Sequence, residues 1–356
     1  MTGAPLNRVE SLCRRFGVQA PIWLAPMAGA SPPSLSIAIS EGGGLAACGA
    51  LLMGPAEMRA WADNVRARTS AAFQMNLWVP DPSPARDRAH EDRLRVFLER
   101  WGPAVSASSG DEVPRDFAEQ CEGLLEVRPA IASSIMGLFP PRVVAALKSA
   151  GITWSATVTT VKEAQRAEEA GADIIVAQGM EAGGHRGSFD AADAESRLVG
   201  LFALVPQVVD AVRVPVVATG GIADARGIAA ALMLGASAVQ IGTGFLRSPE
   251  AGISAAWSRA LADLRPEDTM LTRAFSGRAG RAIANDYLRA ANMPDAPMPA
   301  PYPVQRGLSG PMRRDAAQRG DGARMQAWAG QAARLASDEP AAELVQRLWR
   351  EARDLL

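Results

Sequence analysis

Residues 173–187 read DIIVAQGMEAGGHRG. The stretch from Asp173 to Ala177 is an almost unbroken apolar, β-branched run, as expected of a parallel strand buried on both faces. Gln178 to Gly187 follows as a glycine-rich segment that carries His185, one of only two histidines in the chain. Helical periodicity resumes over 204–212. Strand, polar glycine loop and helix therefore form one unit, and the same unit recurs on both sides of it.

Working outward, apolar strand-like runs are predicted at 22–27, 45–48, 72–78, 130–135, 154–158, 173–177, 215–219 and 238–241. Helical stretches are predicted at 33–41, 55–67, 91–101, 141–150, 161–170, 204–212, 225–234 and 252–264. Strict alternation of strand and helix implies a parallel sheet, and eight units favour closure over an open doubly wound sheet. The expected fold class is α/β, a (β/α)8 TIM barrel over residues 1–264. Residues 265–322 are rich in Arg, Pro, Gly, Asn and Met with little periodicity, and read as a small appended substrate or lid domain. Residues 323–356 return to helical periodicity and are expected to pack on the barrel.

Composition narrows the function. The 356 residues are 48% hydrophobic and 21% charged, with 37 basic and 38 acidic side chains and a net charge of -1. This is an ordinary globular balance, and nothing in it calls for nucleic acid. No apolar run reaches about 18 residues free of charges or Gly/Pro clusters, so no membrane span is expected. The opening residues lack a long apolar core, so no secretory leader is expected. Cys13, Cys48 and Cys121 are odd in number and fit no metal spacing. They read as free thiols of a reducing, cytoplasmic compartment. HExxH, CxxC, GxSxG, Walker and strand-following GxGxxG patterns do not occur, so metal, serine-nucleophile and Rossmann chemistry lack their motifs.

A barrel carries its chemistry in the loops at the C-terminal ends of its strands. His185 sits there, among glycines, where an imidazole can act as a base near neutral pH or simply cap a turn. Gly183 and Gly184 beside it let the backbone approach a flat ligand. Two further glycine-rich turns follow the seventh and eighth strands: Gly220 and Gly221, then the run Gln240, Ile241, Gly242 and Thr243. Barrels use these two loops for phosphate, through backbone N–H groups and a helix N-terminus. Ala25, Pro26 and Met27 follow the first strand and place backbone along one edge of a ring system. Asn76 and Gln178 can both donate and accept, which suits a heteroaromatic edge, although either could be a satisfied core amide. His90 reads as a surface histidine.

Taken together, LAPMAGAS (24–31), QMNLWVP (74–80), AQGMEAGGHRG (177–187), VVATGGIAD (216–224), AVQIGTGFL (238–246), APYPVQ (300–305) and WAGQAA (328–333) resemble the class I nitronate monooxygenases, formerly called 2-nitropropane dioxygenases. The resemblance spans about residues 20–335. It implies FMN, no metal, and oxidation of alkyl nitronates such as propionate 3-nitronate by O2 to a carbonyl compound and nitrite. It makes His185 the catalytic residue, abstracting the α-proton of neutral nitroalkanes. Met27, Asn76, Gln178, Gly183, Gly220, Gly221 and Gln240 to Thr243 are then the FMN contacts. The partners implied are a small nitronate or nitroalkane and O2, in a monomer or homodimer. The fourth loop, SSIMGLFPP (133–141), departs from relatives near Ser134 and leaves substrate size open.

Flavin-dependent enoyl-acyl-carrier-protein reductases and quinone reductases that use NAD(P)H are similar to this pattern as well. Gln178 and Arg186 stand where the enoyl reductases carry Glu and Ile, and both favour nitronate oxidation. A non-catalytic flavin- or phosphate-binding protein is the remaining alternative.

Overall fold

The computed structural model describes residues 4–356. Eight parallel strands are hydrogen-bonded in the order β1-β9-β8-β6-β5-β4-β3-β2, where β1 is Ile22–Leu24, β2 Ala46–Gly49, β3 Phe73–Trp78, β4 Ile131–Ile135, β5 Thr153–Val158, β6 Ile174–Gln178, β8 Val216–Thr219 and β9 Ala238–Ile241. A bridge between Trp23 and Leu45 joins the two end strands, with Leu24 N–H donating to Leu45 O and Leu45 N–H to Ile22 O. The sheet is thus closed, and the chain is a TIM barrel.

Side chains alternate along each strand with period two. In β6, Ile174 and Val176 join an inner apolar cluster with Trp23, Leu45, Ile131, Val217 and Ala238, while Ile175 and Ala177 face the surrounding helices. Leu12 and Phe16, from the helix Ala4–Phe16, complete that inner cluster and close the N-terminal mouth. Further along the same inward rows the residues become polar: Gln74, Asn76, Ser133, Thr157, Gln178, Thr219 and Gln240 are all buried. Apolar packing fills one end of the barrel, and hydrogen-bonding groups line the other.

Two helix assignments change. The third crossover helix is Phe117–Val127, capped by Asp116, which accepts from the N–H groups of Ala118 and Glu119. The helix expected over 91–101 lies at Arg88–Leu98. Its Leu94 and Leu98 pack instead in a second core with Phe275, Tyr287, Val304 and Met312. Periodicity identifies an apolar face but not its partner, so the apolar face of 91–101 does not reveal that a second helix of the same connection takes the place on the barrel. The ring position between helices Pro33–Glu41 and Ala225–Met233 is filled by the C-terminal helix Ala341–Arg353, which packs against both. The helix expected there, 252–264, is shorter (Ala255–Ala262) and packs beside the turn Ala333–Leu335.

A three-stranded antiparallel sheet covers the C-terminal mouth: β10 (Thr269–Thr272), β11 (Gly280–Ile283) and β7 (Gly184–His185). β7 belongs to the loop after β6, and its Gly184 and His185 pair with Arg281 and Gly280. The second core, drawn from residues 94–105 and 274–312, packs behind this sheet. Cys13, Cys48 and Cys121 are free and buried. Among the described residues no helix is long and apolar enough to cross a membrane.

Candidate active site

A cavity of about 270 Å³ lies between the polar end of the barrel and the covering sheet. Of the residues singled out from sequence, Ala25, Pro26, Met27, Asn76, Gln178, Gly183, Gly184, His185, Gly220, Gly221, Gln240, Gly242 and Thr243 line it. Ile241 does not. Its side chain is 1% exposed and packs in the outer core, while its carbonyl accepts from Ala25 N–H. Alternation along β9 turns Gln240 inward and Ile241 outward.

The inward amides are held in fixed orientations. Gln74 donates from Nε2 to Leu24 O (2.9 Å) and to Gln240 Oε1 (3.0 Å), and among the described residues no group accepts from Nε2 of Gln240. Asn76 donates to Ser133 Oγ at 3.0 Å, which leaves its Oδ1 free as an acceptor. Gln178 accepts from Gly187 N–H at 2.8 Å and from Arg186 at 3.2 Å, and donates to His185 O at 3.1 Å. It therefore both faces the cavity and braces the loop that carries His185. Thr219 donates to Gln240 O at 2.8 Å.

Arg186 is fully buried and points away from the cavity. Its Nη1 donates to Gly179 O at 2.7 Å, and among the described residues no group accepts from Nε or Nη2. Burial lowers its pKa to about 10, so it remains a cation at neutral pH behind Gln178. Ser134 also faces away, accepting from Trp154 Nε1 at 3.0 Å, so it does not shape the cavity.

On one side, the turns after β8 and β9 come together. Among the described residues no group accepts from the backbone N–H of Gly220, Gly221, Gly242 or Thr243. Thr243 Oγ1 accepts from Gly330 N–H at 3.0 Å, and its own hydroxyl proton is free. A cluster of unpaired amide donors with a hydroxyl is a ready receptor for an anion such as phosphate. Gly183 lies so close to Ala329, Gly330 and Thr243 that a Cβ there would collide with them. The C-terminal segment thus seals the His185 loop against this receptor.

On the other side, His185 stands between two indoles, Trp78 and Trp328, each with its ring centre 4.6 Å from the imidazole. Its Nε2 lies 2.8 Å from Ser276 Oγ. Burial first, then the nearby charges of Arg278 and Arg313, lower its pKa to about 3, so the ring is neutral at physiological pH. The cavity wall beyond comes from the cover: Tyr302, Arg306, Arg313 and Gln326. Arg306 pairs with Glu112. Among the described residues Arg313 has only neutral partners: Ser309 Oγ (3.0 Å), Gln326 Oε1 (2.9 Å) and Arg306 O (2.8 Å). It is therefore an uncompensated cation, with its pKa lowered to about 10 by burial and then by neighbouring arginines. Sequence reading did not single out these residues. APYPVQ and WAGQAA, which hold Tyr302 and Trp328, were the only signals for them. His90 lies on the helix Arg88–Leu98, with Nε2 bonded to Met298 O.

A family model described as nitronate monooxygenase matches residues 10–351. The chain belongs to the nitronate monooxygenase family. The nitronate monooxygenase of Paraburkholderia phytofirmans is 40% identical over 348 residues, covering 96% of this chain and 94% of that one. The nitronate monooxygenase of Pseudomonas aeruginosa is 40% identical over 352 residues, covering 97% and 99%. Among solved structures, nitroalkane oxidase from Streptomyces ansochromogenes superposes with a TM-score of 0.87 at 36% identity, over 97% of this chain and 99% of that one. Membership in the nitronate monooxygenase family makes the chain an enzyme that acts on small-molecule nitronates.

Proposed function

We propose that this enzyme binds FMN and oxidises alkyl nitronates, such as propionate 3-nitronate, with O2 to a carbonyl compound and nitrite, with His185 as the base for neutral nitroalkanes. The observation that carries the reading is a neutral imidazole fixed between two indoles, across one cavity from a set of unpaired backbone amides.

The residues present fit FMN. Gly220, Gly221, Gly242 and Thr243 offer unpartnered N–H groups, and Thr243 a hydroxyl, for the phosphate. Gln240 Nε2 is a free donor and Asn76 Oδ1 a free acceptor for a ring edge carrying both kinds of group. Met27, Ala25 and Pro26 supply an apolar edge. Bound FMN would supply the electron acceptor for the substrate and the electron donor for O2.

The protein's own contribution is binding, orientation and proton transfer. Arg313, which faces the cavity without a carboxylate partner among the described residues, makes the cover side positive and draws in a nitronate anion. Burial disfavours an isolated imidazolium at His185. When the ring takes a proton from a nitroalkane, however, the nitronate charge forms beside it, and the pair is far less costly than either ion alone. The indoles and the covering sheet keep bulk water from the ring.

The test is direct. The purified protein should be yellow, and anaerobic addition of propionate 3-nitronate should bleach it. Bleaching by NADH or NADPH but not by the nitronate would replace this reading with that of an NAD(P)H-dependent reductase. Failure to take up FMN would overturn the flavin assignment.

A further inference from the structure

We propose that Ser276 is a positioning residue that fixes His185 in its Nε2–H tautomer, so that Nδ1 is the atom that accepts the substrate proton. The proposal rests on the reading of His185 as the base.

The argument is a proton count. A serine hydroxyl has one proton to give and two lone pairs. Ser276 Oγ lies 3.1 Å from Arg278 O, 3.3 Å from Arg278 N and 2.8 Å from His185 Nε2. The amide N–H can only donate and the carbonyl can only accept. Arg278 is 2% exposed, and among the described residues its carbonyl has no partner besides this hydroxyl. A buried carbonyl left unpaired is costly, so the hydroxyl proton goes to it. One lone pair of Oγ then takes the Arg278 N–H. The other faces Nε2, and a lone pair there is matched only by an N–H.

A neutral imidazole carries one proton, and with that proton on Nε2 the lone pair is on Nδ1. Among the described residues Nδ1 has no partner, and it is not sealed from solvent-sized space, because the ring lines the cavity. Nδ1 is therefore open toward the substrate. The reverse arrangement would strand the Arg278 carbonyl and present an N–H, which cannot act as a base, to the cavity.

The geometry is held from both ends. Ser276 N–H and Gly277 N–H both donate to Arg273 O, at 3.2 and 2.7 Å, so the hydroxyl is mounted on a tight turn. Trp78 and Trp328 hold the imidazole plane. The charges of Arg278 and Arg313, after burial itself, oppose a second proton on the ring until a substrate anion forms. In the step itself the substrate C–H bond breaks and its electron pair stays on the substrate as nitronate. An N–H bond forms at Nδ1, and the resulting imidazolium keeps its Nε2–H donated to Ser276. No oxidant is needed.

The chain has two histidines, which makes the tautomer directly observable. In flavin-loaded protein with 15N-labelled imidazoles, long-range proton–nitrogen correlation should show His185 with a pyrrole-type Nε2 and a pyridine-type Nδ1. The His90→Gln variant removes the other ring. An Nδ1–H pattern, or fast averaging of the two nitrogens, would overturn the proposal. Ser276→Ala should lower kcat for a neutral nitroalkane roughly tenfold, less than the about 10²–10⁴-fold of losing the base itself, and lower it less for a preformed nitronate. Ser276→Thr, which keeps the hydroxyl, should recover most of the loss. Equal losses on both substrates, or no recovery in a folded, flavin-loaded Thr variant, would sink the positioning role. If Ser276→Ala does not fold, the tautomer of the unsubstituted protein still decides. An Nδ1–H ring in a protein whose His185→Ala variant is inactive on nitroalkanes removes only the tautomer assignment. An active His185→Ala variant removes the base reading itself.

Discussion

Replacing Gly183 by alanine tests how tightly the His185 loop is sealed to the C-terminal segment. The backbone of Gly183 is not in the left-handed region, so alanine meets no conformational obstacle there. The obstacle is space: an added Cβ would sit 2.6 Å from Ala329 C, 2.9 Å from Thr243 Oγ1 and closer still to Gly330 N. Two of those are backbone atoms that cannot slide freely. Gly330 N–H is bonded to Thr243 Oγ1, and Gln331 N–H to Glu181 O at 2.9 Å. Overpacking costs about 1–3 kcal/mol, and one strained hydrogen bond adds about 1 kcal/mol, so Gly183→Ala should cost roughly 2–4 kcal/mol. Gly184 provides the control. Its φ is +73° and no atom lies within 4 Å of an added Cβ, so alanine there pays only the left-handed backbone penalty of about 1–2 kcal/mol. Urea unfolding followed by circular dichroism, with flavin release followed by fluorescence, should rank parent above Gly184→Ala above Gly183→Ala. The Gly183 variant should also lose flavin first. If Gly183→Ala unfolds with the parent, or Gly184→Ala is the weaker of the two, the sealed-loop reasoning fails.

Three further outcomes are expected. His185→Ala should lower turnover of a neutral nitroalkane by about 10²–10⁴-fold and turnover of the preformed nitronate less, in steady-state oxygen uptake; equal losses would count against proton abstraction. Because burial and the charges of Arg278 and Arg313 place the His185 pKa at about 3, its basic form is fully present above that pH and is lost only as pH falls toward it. The kcat/KM profile for a neutral nitroalkane should therefore show no histidine inflection between about pH 5 and 8, and a break near the ordinary histidine value would refute the burial argument. Arg313→Met removes an uncompensated cation from the cavity wall and should raise KM for a nitronate anion by about tenfold or more, the scale of one charge-assisted hydrogen bond. The neutral nitroalkane should change little, and an equal rise for both substrates would assign Arg313 a purely structural role.

Much of this was readable from sequence, and for a definite reason. A strand's face and a helix's face are encoded in spacings of two to four residues, so the eight βα units appear in the chain itself. DIIVAQ declares a strand buried on both faces, and the glycine runs after β6, β8 and β9 declare close backbone turns at one mouth of the barrel. That is why His185, Gln178, Gly221 and Gln240 stand out in the sequence as residues of that mouth. Spacing does not encode partners. Gln74 orients Gln240 from 166 positions away, and Ser276 meets His185 from 91 positions away. Only closure of the barrel turns Ser134 outward and Ser133 inward onto Asn76. Only the pairing of β7 with β11 fixes the His185 loop to its cover. The sequence by itself determined the barrel and the loops that bear its chemistry, because both follow from local periodicity. Tertiary structure decided which nitrogen of His185 meets Ser276, which arginine stays uncompensated and which helix completes the ring, because each depends on contacts between segments far apart in the chain.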